Sequence, residues 1–247
     1  MSSSALTNAD KKYYPPIEPL VQWLAKRLPS DAKVLEIGPG FVPFPRATMF
    51  VDYRKLPSIP ADKIVSVDMN CEKLPFEDKS FDFIYCRHVI EDMYNPLLLI
   101  KEMERVGKEG YIESPSPMAE LGRGVDGSSP QFRGYHHHHS IVWVHEGQLR
   151  IIHKYPICEY VRFSEEDIIN WLREGPKFWN TYYLWKDKIN LKHYQSGPDY
   201  VITRDYSSIL KNAMDSSSIS SGVFWLDVPE KVEIKQGALP QFTSANL

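Results

Sequence analysis

Residues whose backbone or side chain could contact a ligand follow four apolar segments in the N-terminal part of this chain. They are Gly38-Pro39-Gly40, Asp52, Asp68-Met69-Asn70 and Arg87-His88. A glycine turn lets the backbone approach a ligand closely, and a carboxylate at the position of Asp52 can accept hydrogen bonds from both hydroxyls of a ribose. Asp68 could accept from the exocyclic amine of adenine, with the Met69 side chain packed on the ring. These residue types predict a site for a nucleoside-containing ligand.

The glycine turn argues against two common nucleotide sites. A third glycine is typical of the dinucleotide fingerprint, and a lysine that binds phosphate is typical of a nucleoside triphosphate site. Neither residue is present in the turn that follows the apolar stretch Val34–Ile37. The turn therefore favours a different nucleoside ligand.

The apolar segments alternate with patterns typical of helices, which predicts an α/β fold with a doubly wound, mostly parallel sheet. In such a sheet the carboxyl ends of the strands meet at one edge, so the residues above should converge there. Prolines between Gly38 and Ala47 disfavour the usual crossover helix and predict a shortened connection. The expected strands are 33–37, 48–51, 63–67, 81–86 and a short fifth strand over 111–113.

The chain after the fifth strand reads as an insertion followed by further elements. A loop over 118–134 leads to four consecutive histidines and then to a hairpin formed by 141–145 and 148–154. A helix is expected after Ser164, and a second hairpin over 181–194. We interpret 1–230 as a single domain with a loop-hairpin insertion at about 115–156 and a C-terminal extension, and we expect 231–247 to be a flexible tail.

The four histidines suggest a polar site beside the insertion. In an extended segment alternate residues share a face, so His136 and His138 would point the same way. Two histidines and a carboxylate could hold a divalent metal, which could chelate a diol and lower the pKa of a hydroxyl. The carboxylates considered are Glu113, Glu120 and Asp126. Metal-free contacts with a substrate and a solvated loop without function are the alternatives.

Three further segments carry a resemblance to a known family. They are Val34–Gly40, Leu74–Asp82, and the stretch from Arg87 to Asp92 that continues through Asn95-Pro96 to Val106. Over about residues 33–117 the chain resembles a class I S-adenosylmethionine-dependent methyltransferase of the small-molecule type. The resemblance implies a Rossmann-like sheet of the seven-stranded type, with the 181–194 hairpin as its final antiparallel pair. It also implies S-adenosylmethionine as the cofactor.

The resemblance assigns roles to the residues at the strand ends. Glu36 and the turn Gly38-Pro39-Gly40 would hold the methionine part of the cofactor, and Asp52 would bind the ribose. Asp68 and Met69 would bind adenine, and Arg87 and His88 would face the cofactor near the sulfonium. Tyr53 and Asn70 complete the predicted cofactor site.

The chain departs from the family pattern at three positions. Val42 stands where relatives have a third glycine, and Asp92 stands where many have a histidine. Asp52 follows Gly38 more closely than the roughly 20 residues usual in glycine-turn sheets. The connection resembles a variant subgroup with a proline-rich turn after the first strand.

Methyl transfer from a sulfonium is an in-line displacement, so a protein contributes mainly positioning and, for a hydroxyl acceptor, a base. The candidate catalytic residues are His88, His137, His138 and Glu113. A packing role at the cofactor wall is the alternative for His88.

Composition limits the partners. The formal net charge is -3, which gives no electrostatic reason for binding nucleic acid. No apolar run reaches the roughly 20 residues of a membrane span, and three scattered cysteines favour a reducing cytoplasm. We therefore expect no membrane partner and a cytoplasmic location; the oligomeric state is not predicted.

The functional hypothesis is an O-methyltransferase that acts on a small hydroxylated acceptor, with a sugar or glycan preferred. The preference comes from the histidine-rich insertion and from aromatic residues, which make up 13% of the chain. One alternative is an N-methyltransferase or a nucleic-acid methyltransferase. The other is a non-catalytic scaffold that binds the cofactor.

Overall fold

Two β-sheets organise the chain in the computed structural model, which describes residues 18–127, 129, 131–174, 178–194 and 202–225. The tail expected over 231–247 lies outside the described residues. The helices are α1 (Glu18–Arg27), α2 (Pro96–Val106), α3 (Pro117–Leu121), α4 (Glu165–Glu174) and α5 (Ile202–Trp225). The strands are β1 (Val34–Ile37), β2 (Met49–Asp52), β3 (Ile64–Ser66), β4 (Phe81–Arg87), β5 (Gly107–Pro115), β6 (Ser140–His145), β7 (Gln148–His153), β8 (Asn180–Lys186) and β9 (Leu191–Tyr194).

The main sheet confirms the predicted α/β architecture. Its six strands lie in the order β3-β2-β1-β4-β5-β8, and every neighbouring pair is parallel except β5 and β8. Alternate residues of β1 serve opposite faces: Val34 packs in a core with α1, whereas Leu35 and Ile37 pack in a core with α2. Helices on both faces of a mostly parallel sheet are the doubly wound arrangement.

The connection from β1 to β2 contains no helix in the described segment 38–48, as its prolines predict. The Arg46 guanidinium donates to the Ala25 carbonyl oxygen at 2.9 Å, which ties the connection to α1. The Phe44 ring stacks on the Tyr85 ring with 4.4 Å between their centroids. Side-chain packing on the α1 face therefore takes the place of the crossover helix.

The fifth strand is longer than the predicted 111–113, because β5 has nine residues. Gly107 is both the C-cap of α2 and the first residue of β5, and Gly110 lies within the strand. A Cβ atom on Gly110 would lie 2.6 Å from the Ile84 carbonyl oxygen and 2.8 Å from the Trp185 ring. The missing side chain therefore allows close packing between neighbouring strands.

The predicted hairpin over 181–194 is wrong. β8 pairs antiparallel with β5, but β9 leaves the main sheet and pairs parallel with β7. Asp187 adopts a φ of 61° at the turn, and the Ile189 backbone N–H donates to a carboxylate oxygen of Glu104 at 2.6 Å. These contacts direct the chain to the free edge of the β6–β7 hairpin, so the main sheet has six strands, and not seven, within the part of the chain that the structure describes.

The hairpin expected in the insertion is confirmed: β6 and β7 are antiparallel and join β9 in a three-stranded sheet. On one face of this hairpin Val142, Leu149 and Ile151 pack in the same core as α2 and so cover one face of the main sheet. On the other face Ile141, Trp143 and Ile152 pack in a core with α5. The helix expected after Ser164 is α4, and its Asp167 N–H donates to the Ser164 hydroxyl at 3.2 Å. The predicted loop over 118–134 instead begins with α3, which Ser116 caps.

Candidate active site

The glycine turn lies at the carboxyl end of β1, as predicted. Gly38 and Gly40 have φ angles of 65° and 54°, a region in which residues with a side chain are strained. A Cβ atom on Gly38 would lie 2.3 Å from Cγ2 of Val89, whereas one on Gly40 would meet nothing within 4 Å. Gly38 thus permits a close approach to the segment after β4, and the space beside Gly40 is open to a ligand.

Glu36 is buried just before this turn. Its Oε2 accepts a hydrogen bond from the Phe44 backbone N–H at 2.8 Å. Burial raises the pKa of Glu36 to about 8, against the opposing effects of the Phe44 N–H and of Arg87. The free protein therefore keeps this carboxyl largely protonated at neutral pH, next to the open side of the glycine turn.

Acidic residues follow the next two strands at the same edge of the sheet. Asp52 ends β2, where it is buried and accepts from the Arg54 N–H at 3.1 Å. Asp68 is exposed after β3 and accepts from the Asn70 N–H at 3.0 Å. The Met69 side chain is 5% exposed and belongs to the core.

Other predicted cofactor residues extend this edge. Pro39 is buried within the glycine turn, and the Tyr53 ring is exposed directly after β2. The Asn70 side-chain oxygen accepts from the Tyr94 N–H at 2.8 Å, which joins the segments after β3 and β4. The roles proposed for these residues toward the cofactor stay predictions.

Arg87 and His88, at the end of β4, are held by buried carboxylates. Nε of Arg87 lies 3.1 Å from Oε1 of Glu113, and Nδ1 of His88 lies 3.0 Å from Oε1 of Glu91. Nε2 of His88 is 3.7 Å from the same Glu113 oxygen. His88 has a φ of 52°, so its ring is placed by a left-handed backbone conformation as well as by these carboxylates.

Glu113 is surrounded by donors. The Tyr111 hydroxyl and the Asn180 amide each donate to its carboxylate at 2.7 Å. Burial acts to raise the pKa of Glu113, but Arg87 and His88 outweigh it and lower the pKa to about 2. Glu113 is therefore ionised and engaged, which suits a residue that positions its neighbours better than a general base.

The extended segment expected for the four histidines is wrong, because His136 and His137 lie in a turn that the His138 N–H closes by donating to the Tyr135 carbonyl oxygen at 3.3 Å. We call residues 135–139 the histidine turn. His136 and His138 do not share a carboxylate: Nδ1 of His136 lies 2.8 Å from Asp126, whereas Nδ1 of His138 bonds the buried Glu120. The chain turns here because Gly134, with a φ of 54°, packs directly on the Glu120 backbone. Two of the carboxylates considered from the sequence thus contact histidines, but each contacts a different one.

The turn brings His137 and His138 to Asp92, a residue that the sequence marked only as a departure from the family pattern. Oδ1 of Asp92 lies 3.7 Å from Nε2 of His138 and 4.0 Å from Nε2 of His137. Burial, and then the charge of Glu91, raise the pKa of Asp92 to about 6. We call Asp92, His137 and His138 the histidine–aspartate cluster.

The cluster is attached to the carboxyl edge of the main sheet. The His139 N–H donates to the Glu91 carbonyl oxygen at 2.7 Å, and the Tyr94 ring stacks on the His139 ring at 3.9 Å. The site therefore combines a nucleoside-type edge with a group of imidazoles and carboxylates. Sequence reasoning missed Asp92, Glu91 and Asn180, and the unusual residue at position 92 was the one signal that pointed there.

The N-terminal part of the chain is similar in sequence to one known protein family. Residues 20–112 match the family described as "Methyltransferase domain". This segment covers the edge formed by β1, β2 and β4 but not the four histidines. No curated protein matches the chain in sequence.

Solved structures similar to the chain include S-adenosylmethionine-dependent methyltransferases from Aquifex aeolicus and Mesorhizobium loti. The first is 16% identical with a TM-score of 0.34, and it is matched over 45% of this chain and 69% of its own. The second is 18% identical with a TM-score of 0.33, and it is matched over 42% of this chain and 57% of its own. The YcgJ protein of Bacillus subtilis is 20% identical with a TM-score of 0.34, over 46% and 61%. No described helix is both long and apolar enough to cross a membrane.

Proposed function

Because residues 20–112 match the family described as "Methyltransferase domain", we propose that the protein is a class I S-adenosylmethionine-dependent methyltransferase that transfers the methyl group of this cofactor to a hydroxyl oxygen of a small acceptor. The observation that carries the proposal is the histidine–aspartate cluster beside the cofactor edge. A hydroxyl oxygen has to lose its proton when it takes the methyl group, so an oxygen acceptor requires a group that accepts this proton. A cluster of imidazoles and a carboxylate supplies groups for that step.

The residues at the carboxyl edge fit S-adenosylmethionine. The open space beside Gly40 admits a ligand against the backbone, and the Glu36 carboxyl would face the ammonium group of the methionine part. Asp52 would accept from the ribose hydroxyls, and the exposed Tyr53 ring next to it offers a face to adenine. When bound, the cofactor supplies an activated methyl group on a sulfonium.

Arg87 and Glu113 form a charge-compensated pair at the place where the sulfonium of the cofactor would lie. An unpaired arginine beside a sulfonium would repel it, but Glu113 compensates the guanidinium at 3.1 Å. The carboxylates of Glu91 and Glu113 orient the His88 ring between them. We assign Glu113 a positioning role and His88 a place in the wall of the site.

The acceptor would enter from the side of the histidine turn. Its hydroxyl proton would pass to the histidine–aspartate cluster as the oxygen takes the methyl group, leaving the neutral thioether S-adenosylhomocysteine. Glu120 keeps Nδ1 of His138 occupied, so that the Nε2 side of the ring faces the cluster.

An acceptor with a sugar or other ring agrees with the exposed aromatic surface nearby. The Tyr94 side chain is 76% exposed although its ring stacks on His139, and Phe41 in the glycine-turn connection is 70% exposed. Exposed rings offer stacking area to a sugar or planar group at low entropic cost. The cytoplasmic location expected from the cysteines stays part of this proposal.

The test combines cofactor binding with turnover. Calorimetry should show binding of S-adenosylhomocysteine, and labelled methyl groups should pass to members of a panel of monosaccharides and catechols when divalent cations are present. His138→Gln should lower turnover at least about 10-fold without changing affinity for the cofactor product. The matched control is His145→Gln, since His145 bonds Ser216 at 2.8 Å on the far side of the hairpin.

Each contrary result has a definite meaning. Absence of S-adenosylhomocysteine binding would sink the proposal. Binding without turnover on any acceptor would favour a scaffold, and transfer to amines alone would favour an N-methyltransferase. An equal loss in the His138 and His145 variants would remove the cluster from the mechanism.

A further inference from the structure

We propose that the histidine–aspartate cluster binds a divalent metal cation, with Nε2 of His137, Nε2 of His138 and a carboxylate oxygen of Asp92 as ligands. Two imidazoles and one carboxylate suit zinc and the neighbouring first-row divalent ions. Three protein ligands also leave coordination positions open, as in catalytic metal sites. The alternating pair His136 and His138 expected from the sequence is replaced by two adjacent histidines.

The three candidate ligand atoms surround a gap and do not bond one another. Oδ1 of Asp92 is 3.7 Å from His138 and 4.0 Å from His137, distances too long for hydrogen bonds. All three atoms lie within 4.8 Å of one another. Ligand atoms around a tetrahedral zinc are about 3.3 Å apart, so contraction by at most about 1.5 Å would close the site.

One of these atoms lacks a partner. Oδ1 of Asp92 is buried and accepts no hydrogen bond from the described part of the protein. A buried carboxylate oxygen without a donor is costly, because burial removes water and nothing replaces it. A cation in the gap would satisfy Asp92 and both imidazoles together.

The surroundings of His138 are those of a metal ligand. Its Nδ1 bonds the fully buried Glu120, whose other oxygen pairs with Nζ of Lys154 at 2.7 Å. A carboxylate on the far nitrogen fixes the ring and keeps the metal-facing nitrogen free. Lys154 also donates to the Tyr135 carbonyl oxygen at 2.8 Å, which fixes the start of the histidine turn.

The two segments that supply the ligands are joined before any ion binds. The His139 N–H bonds the residue before Asp92, and the Lys154 N–H donates to the His139 carbonyl oxygen at 2.8 Å. The ring of Tyr94 packs on His139 from the other side. The contacts of His139 with Glu91 and Tyr94 therefore hold the two ligand segments together, which reduces the cost of organising the site.

A second group, formed by Asp126, His136 and His137, competes for the same ion and is the weaker candidate. Oδ2 of Asp126 already accepts from the Ser129 hydroxyl at 2.9 Å and lies 2.8 Å from His136. The His136 side chain is 59% exposed, whereas that of His138 is 4% exposed. The Asp92 group is therefore the better prepared of the two.

The open positions give the cation a role that rests on the proposed function. The side chains of His137 and Asp92 are 57% and 41% exposed, so the open side of the site faces the approach of the acceptor. Two neighbouring hydroxyls of a sugar or catechol could chelate the ion there, which would lower the pKa of the hydroxyl to be methylated. With the ion bound, both Nε2 atoms would be ligands, so the hydroxyl proton would pass to solvent water and not to an imidazole.

The binding test is independent of catalysis. Chelator-treated full-length protein is titrated with Zn²⁺ by calorimetry and with Co²⁺ by visible absorption. We expect one ion per chain, and an affinity at least 10-fold lower for both Asp92→Asn and His137→Ala. His136→Ala is the matched control and should bind like the wild type, and S-adenosylhomocysteine binding should be unchanged in all variants.

Three results would overturn the inference. They are the absence of saturable binding by the wild type, full binding by Asp92→Asn, and a loss confined to His136→Ala, which would move the ion to Asp126. Should S-adenosylhomocysteine bind while the metal does not, the cation alone is wrong and the methyltransferase proposal stands.

Discussion

The carboxyl edge of the main sheet, where Gly38, Asp52 and Arg87 lie, is the cofactor edge of our proposal. It and the histidine turn beside it position their functional groups in different ways. The cofactor edge relies on backbone: a glycine turn, strand ends, and a main-chain N–H that bonds Glu36 from eight positions along the chain. The histidine turn relies on buried charge: Glu120 bonds His138 and pairs with Lys154, 18 and 34 positions away. Backbone conformation is set by residues close in sequence, whereas the charge network exists only after distant segments meet.

The largest effect should come from breaking the buried network. Glu120→Gln keeps the size of the side chain but leaves Lys154 without its counter-ion, which should cost about 3 to 5 kcal/mol in the free energy of unfolding. Denaturant unfolding would measure this. The exposed pair Lys108–Asp82 is the control, because Lys108→Met should cost at most about 1 kcal/mol.

The same variant has a pH signature. Burial acts to raise the pKa of Glu120, but Lys154 and His138 outweigh it and lower the pKa to about 2 from 4.5. The stabilisation is therefore fully present above about pH 4.5 and is lost as the pH falls toward 2. A Glu120→Gln variant with wild-type stability, or with an unchanged acid profile, would contradict the role given to this network.

A smaller effect is expected from a change in the backbone-determined region. Gly38→Ala should lower the free energy of unfolding by about 1 to 2 kcal/mol through its positive φ, and by about 1 to 3 kcal/mol more through overlap with Val89. The variant should also bind S-adenosylhomocysteine at least about 10-fold more weakly. Gly147→Ala is the matched control, since Gly147 has a φ of 70° and a Cβ there would meet nothing within 4 Å. Thermal unfolding of the two variants would separate backbone strain, which both share, from overlap, which only Gly38→Ala has, and calorimetry would measure binding. Equal losses of stability in both variants would refute the close approach of Gly38 to Val89.

The smallest effect is a change in proton binding at Glu36. Its pKa of about 8 means that an ammonium group beside it should drive off a proton. Affinity for S-adenosylhomocysteine should therefore rise by up to about tenfold per pH unit below 8 and level off above it. Calorimetry in buffers of different ionisation enthalpy would measure the released proton.

Two controls locate that proton. Glu36→Gln should remove the pH dependence, and 5′-methylthioadenosine, which lacks the amino-acid part, should bind without proton release. A dependence that persists in the variant would assign it to another group.

The cofactor edge was largely predictable, because apolar strands that end in glycine or aspartate are local patterns. The positions of Gly38 and Asp52 and the absence of a helix before β2 follow from residues within a few positions of each other. β9 was not predictable in this way. The pattern of residues 191–194 is typical of the second strand of a hairpin with β8, but these residues pair with the free edge of β7, which is distant in sequence. The length of β5 was not predictable either, because the reason for a glycine at position 110 is its close packing against Ile84 of the neighbouring strand.

The amino-acid sequence by itself determined the α/β architecture, the carboxyl-edge residues and the methyltransferase resemblance, because each depends on patterns of neighbouring residues. Tertiary structure alone decided which histidine meets which carboxylate. An extended run would pair His136 with His138, but Gly134 against Glu120 turns the chain and brings His137 and His138 to Asp92. Long-range packing sets the direction of each imidazole, and so the chemistry of the turn could not be read from its spacing.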